Sequence, residues 1–202
     1  VASNGTYKIT IPRQKAGAKV VVKISKSGYV PSEKTITVQN VFTTFTVNSI
    51  NKNSTSISGK GVSGSTVGAY VNGKQIGNTT IVDSNDTYKI TIPKQKSGTK
   101  VTVKIYKSGY ETSKKTSTVL NIFSTFTVNS IKSKSTLISG KGLKGAKVKA
   151  YINGKQIGKS TTVASNGTYK ITIPKQKAGA KVVVKISKSG YVTSEKTITV
   201  IK

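Results

Sequence analysis

The chain has 202 residues, of which 34% are hydrophobic, with 34 lysines and arginines against 5 acidic residues for a net charge of +29. Cysteine, methionine, tryptophan and histidine are all absent, which excludes a disulfide framework, a thiolate metal site and catalysis by the commonest general base. The length allows one or two domains with cores of their own, and so large a surplus of one charge attracts polyanions.

The string TYKITIP begins at Thr6 and returns at Thr87 and Thr168, while FTVNSI begins at Phe45 and returns at Phe126, so the period is 81 residues. Residues 1–38 match residues 163–200 at 36 of 38 positions, differing only at Arg13/Lys175 and Pro31/Thr193. The chain therefore divides into residues 1–44, the C-terminal half of a module plus a linker; residues 45–125, a complete module plus a linker; and residues 126–202, a second complete module. A solenoid unit of roughly 20–50 residues leans on its neighbours, whereas this period suits a small domain with its own core. No initiator methionine, signal peptide or apolar run of roughly 18 residues occurs, so the chain reads as an internal window of a longer exported protein.

In the last copy, Phe126 to Asn129 alternates apolar and polar residues, and Leu137–Ser139 runs into Gly140-Lys141-Gly142. Lys147 to Ile152 alternates again up to Asn153-Gly154, the dipeptide of a type I′ hairpin turn. Thr161–Val163 leads to a second turn at Asn166-Gly167. Tyr169 to Ile173 alternates and stops at Pro174, which has no N–H to give a ladder. Lys181–Ile186 is a more apolar strand ending at Ser189-Gly190, and Lys196–Val200 closes the unit. About seven short strands with frequent turns and no helical periodicity predict an all-β chain of tandem two-sheet sandwiches.

Gly140, Gly145, Ala146, Val148, Gly154, Gly158, Gly167, Tyr169, Ile173, Pro174, Gly179, Val182 and Val184 fall in a recurring pattern. In it, a Gly-rich start precedes N-G-x-x-I-G, then G-x-Y-x-x-x-I-P, then A-G-x-x-V-x-V. This pattern resembles the bacterial immunoglobulin-like repeat modules of Gram-positive surface and secreted proteins. The middle copy departs from it with Ser65 in place of Ala146 and Asp86 in place of Gly167. The resemblance implies immunoglobulin-like sandwiches at the cell surface or cell wall, acting as spacers or binding units, and it carries no catalytic residue across.

Three sets of residues bear on function. At the junctions, Val41, Phe42, Ile122 and Phe123 sit in stretches without Gly or Pro and are expected to pack between modules in a semi-rigid rod. On the strands, Lys100, Lys104, Lys147, Lys149, Lys181 and Lys185 alternate with apolar residues and are expected to form an outward lattice of ammonium groups. Such a lattice suits repeating anions: teichoic acid, extracellular DNA or acidic polysaccharide, held without sequence preference. A merely solvated lysine coat is the competing reading. Arg13 is the only arginine, which argues against base-specific readout. The three segments carry +6, +8 and +15, so the charge pattern is not uniform.

Asp83 and Asp86 occur in one copy only and are too few for calcium, so no metal or cofactor is expected. An intramolecular Lys–Asn isopeptide bond lacks an acid at a constant position, since Glu195 aligns with Lys114 and Glu111 with Val192. Tyr7, Tyr88 and Tyr169 share parity with inward isoleucines. Tyr70 and Tyr151 have the opposite parity, and Tyr29, Tyr110 and Tyr191 are expected to pin the last hairpin. The half-module at residues 1–38 has an unpartnered apolar face, hence a route to self-association. Together these features predict a non-enzymatic stalk or fibre repeat of a bacterial extracellular protein. A wall-targeting region of a secreted hydrolase and a self-assembling filament are the alternatives.

Overall fold

The computed structural model describes residues 1–202 and contains fifteen strands and no helix, so no helix is long and apolar enough to cross a membrane. In the middle copy the strands are β3 (Ser56–Lys60), β4 (Thr66–Val71), β5 (Lys74–Gln75), β6 (Thr80–Ile81), β7 (Thr87–Thr91), β8 (Lys100–Tyr106) and β9 (Ser113–Thr118). β3 pairs with β7, and a facing sheet runs β5-β4-β8-β9 with β6 also on β4, all antiparallel.

The last copy repeats this with β10 (Leu137–Lys141), β11 (Lys147–Ile152), β12 (Lys155–Thr162), β13 (Thr168–Thr172), β14 (Lys181–Ser187) and β15 (Ser194–Thr199). Here β10 pairs with β13 opposite a β12-β11-β14-β15 sheet. Residues 127–129 add a seventh segment, with Thr127 N–H donating to Lys141 O and Asn129 N–H to Ser139 O, both at 2.9 Å. This is the two-sheet immunoglobulin-like sandwich, built twice.

Period-two alternation makes the core. Along β8, Val101, Val103 and Ile105 are buried while Lys100, Thr102, Lys104 and Tyr106 face outward. Across the interior they meet Ile57, Tyr88 and Ile90 of the small sheet; Val182, Val184, Ile186, Ile138, Tyr169 and Ile171 repeat the arrangement. Asn72 and Asn153 have φ of 49° and 46°, followed by Gly73 and Gly154 at 80° and 78°. Positive φ at both central residues is the type I′ hairpin.

Each sandwich is closed by a crossing segment. Thr46 N–H donates to Lys60 O at 2.8 Å, Lys60 N–H donates to Thr46 Oγ1 at 2.9 Å, and the buried Tyr88 hydroxyl donates to Thr46 O at 2.7 Å. The backbones approach so closely that a Cβ on Gly59 would lie 2.0 Å from Thr46 O. Tyr169, Thr127 and Gly140 make the same closure in the last copy. The chain then crosses to the other sheet, where Leu120 N–H donates to Ile50 O and Lys52 N–H donates to Leu120 O, both at 2.9 Å, in a parallel bridge.

Ser65, which stands where the last copy has Ala146, is fully buried, and its Oγ has no hydrogen-bond partner. In residues 1–44 only β1 (Lys19–Ile24) and β2 (Ser32–Thr37) form, paired antiparallel. Without a facing sheet, Tyr7 and Ile9 are 57% and 62% exposed, where Tyr169 and Ile171 are 2% and 1%.

Candidate functional site

The outer face of the larger sheet of each complete module collects lysines because strand register puts them in rows. In the middle module Lys104 lies between Gly68 of β4 and Lys114 of β9, and Lys100 stands opposite Thr118. In the last module Lys149 pairs with Lys185, which pairs with Glu195; Lys147 stands opposite Ser187 and Lys181 opposite Thr199. Neighbours within a row are about 4.8 Å apart and alternate residues along a strand about 7 Å apart. Over these strands both faces keep a surplus of three positive charges: three lysines in one, four lysines and Glu195 in the other.

One lysine on each of these faces is steadied by a tyrosine ring. Lys104 Nζ lies 4.7 Å from the centroid of Tyr70, and Lys185 Nζ lies 5.7 Å from that of Tyr151. Each ring draws the ammonium group itself over its face by cation–π attraction. Desolvation, and after it the neighbouring Tyr70, raises the Tyr106 phenol above the ordinary range. Lys185 is also raised, first by its hydrogen bond to Glu195 and then by that carboxylate's charge, at a separation of 2.9 Å. Lys23 and Glu33 repeat this pair at 3.1 Å in the half-module. The middle module has Lys114 where the others have glutamate, so Lys104 has no counter-ion opposite it.

Several lysines are spoken for in other ways. Lys107 Nζ donates to Ser63 O at 2.6 Å and Lys188 Nζ to Lys144 O at 2.7 Å, tying two loops together in each module. Lys115 and Lys196 stand opposite the buried Val103 and Val184, so they point to the inner side of the edge strands, and Lys115 lies 6.0 Å from the Phe45 ring. An inward lysine on an edge strand deters pairing with another sheet. The doublet Lys114-Lys115 carried that signal, because consecutive strand residues take opposite faces.

At the junctions, Phe42 stacks on Tyr110 and Phe123 on Tyr191, with ring centroids 4.9 and 5.0 Å apart. Val41 is 62% exposed and Ile122 half-buried. The tyrosines expected to pin the last hairpin, Tyr110 and Tyr191, thus serve the incoming linker instead.

Asp83 accepts from Thr87 N–H at 2.8 Å, Thr87 Oγ1 at 2.7 Å and Asn85 N–H at 2.9 Å. Asp86 accepts from Ser63 N–H at 3.0 Å. Asp83 ties its own turn and Asp86 links that turn to the loop at Ser63, and the Thr87 side-chain hydrogen bond is the largest cause holding Asp83 below its usual 3.8.

The sequence matches the model of the bacterial Ig domain twice, at residues 43–121 and 124–201. The chain belongs to that family. Among curated proteins none matches it in sequence. Among solved structures, this Ig-domain chain is similar to a biofilm-associated protein's BSP domain at 21% identity, over 78% of this chain and 29% of that one, with a TM-score of 0.35. A calcium-stabilised, ice-binding adhesin of an Antarctic bacterium is 20% identical over 91% of this chain and 56% of its own, with a TM-score of 0.28. A two-domain fibronectin type III segment of chicken tenascin is 12% identical over 80% of this chain and 98% of its own, with a TM-score of 0.32. These likenesses concern fold alone, and the chain spans less than two thirds of the first two proteins.

Proposed function

We propose that these Ig modules are a non-enzymatic structural and adhesive repeat of a bacterial extracellular protein, holding anionic wall or matrix polymers through the outer faces of their larger sheets. The observation that supports this is the row geometry. Each face offers ammonium groups at two regular spacings with a surplus of three charges, and Lys104 and Lys114 oppose each other with no carboxylate opposite. Each contact between a lysine and a phosphate or carboxylate is weak and screened by salt. Strung along an array, the faces act together, because each bound face holds the next at high local concentration.

The test is binding of the full chain to immobilised teichoic-acid-bearing wall, polyphosphate and duplex DNA across a salt series. Log affinity should fall linearly with log salt, by about 0.9 per phosphate neutralised on duplex DNA. Lys104→Glu with Lys185→Glu should flatten that slope on all three polymers. Binding that persists unchanged at high salt, or none at low salt, removes the proposal.

A further inference from the structure

The residues Lys107-Ser108-Gly109-Tyr110 form a turn closed by Tyr110 N–H to Lys107 O at 3.0 Å, with Gly109 at φ +76°. Positive φ at the third residue is the glycine position of a type II turn. The backbone flanking Tyr110 grips one residue of the linker ahead of the module. Asn40 N–H donates to Gly109 O, and Glu111 N–H donates to Asn40 O, both at 2.8 Å. Two residues on, and so on the same side of an extended chain, Phe42 reaches the Tyr110 ring.

The second junction repeats every part. Asn121 N–H donates to Gly190 O at 2.8 Å, Val192 N–H donates to Asn121 O at 2.9 Å, and Phe123 meets Tyr191. The half-module carries the same turn, with Tyr29 N–H on Lys26 O at 3.0 Å and Gly28 at φ +79°.

The grip leaves no slack. Leu120 is held by Ile50 and Lys52 of the module behind, while the next residue, Asn121, is held by Gly190 and Val192 of the module ahead. No residue between the two modules is free to turn.

We propose that the Lys-Ser-Gly-Tyr turn of each module is a socket for an extended Asn-x-Phe segment, and that this pairing couples successive modules into a stiff rod without hinge residues. The occupant is the linker of the same array, identified by two filled sockets of one geometry. The coupling deepens the spacing role and is independent of any polyanion bound to the lysine faces.

The chain has no native cysteine, so spin labels can be placed cleanly. Lys94→Cys with Lys175→Cys spans the joint on exposed positions, and Lys74→Cys with Lys94→Cys is a control within one module. Pulsed electron–electron resonance on the full chain should give a cross-joint distance distribution no broader than the control. Inserting Gly-Gly between Leu120 and Asn121 should broaden it several-fold, as a flexible linker does. Asn121→Pro with Phe123→Ala, which removes one N–H donor and the ring, should broaden it as well. The insertion changes no side chain, so it keeps the test decisive if the double variant loses the last module's fold. A wild-type distribution as broad as that of the insertion variant overturns the proposal, and so does an insertion variant as narrow as wild type.

Discussion

Replacing Gly59 by alanine puts a methyl group 2.0 Å from the Thr46 carbonyl oxygen, where ordinary contact begins at 3.4 Å. Thr46 is backbone, so the crossing segment must retreat by more than an ångström. That retreat breaks or badly stretches three hydrogen bonds: Thr46 N–H to Lys60 O, Lys60 N–H to Thr46 Oγ1, and the Tyr88 hydroxyl to Thr46 O. At about 0.5–1.5 kcal/mol net each, the loss is about 3 kcal/mol. For a module of this size, each kcal/mol lowers Tm by about 4–8 °C, so a drop of at least about 12 °C is expected. Differential scanning calorimetry of the full chain reads it. Gly140→Ala, with the same 2.0 Å approach to Thr127 O, provides the matched perturbation in the last module. The two variants should depress different transitions and leave the other module's in place. If Gly59→Ala shifts its transition by less than about 4 °C, equivalent to under about 1 kcal/mol, the reasoning from close approach is refuted.

Ser65→Ala should stabilise the middle module by about 1 kcal/mol, because a buried hydroxyl without a partner is replaced by the residue its sister copy carries; urea denaturation reads this as a higher midpoint at unchanged slope. Ala146→Ser should cost the last module a similar amount, and equal midpoints for either swap would count against it. Burial pushes the Tyr88 and Tyr169 phenols well above their ordinary 10.0. A folded-state pKa above the unfolded one gives stability that is fully present below pH 10 and lost as pH rises beyond it. Alkaline unfolding should therefore steepen above pH 10, less steeply in the last module of Tyr169→Phe, and an unchanged pH profile in that variant would contradict the assignment.

The alternation of Lys147 to Ile152 and Lys181 to Ile186 was enough to place strands and choose their buried faces, since parity alone decides which side of a sheet a residue takes. The Asn153-Gly154 turn was equally plain, because few dipeptides accept positive φ twice. Contacts between distant segments were not legible. Nothing near Gly59 in sequence says that Thr46 passes over it. Phe42 and Tyr110 are 68 positions apart, so Tyr110 read as a local pin when its partner is the linker. The lysine faces were half legible: parity found Lys100 and Lys104, but only register shows that Lys185 meets Glu195 while Lys104 meets another lysine.

Tension applied across an array of these modules loads, in each one, the stretch Ile50–Lys52 against Leu120. Those two stretches run parallel, so a pull drags them past each other along their own axes. Both 2.9 Å hydrogen bonds take the load together, as do those of Ile201 with Ile131 and Ser133 in the last module. A patch sheared in this way gives way all at once, where a pair peeled from one end would open bond by bond. Resistance to stretching is then governed by the barrier to unfolding and not by equilibrium stability.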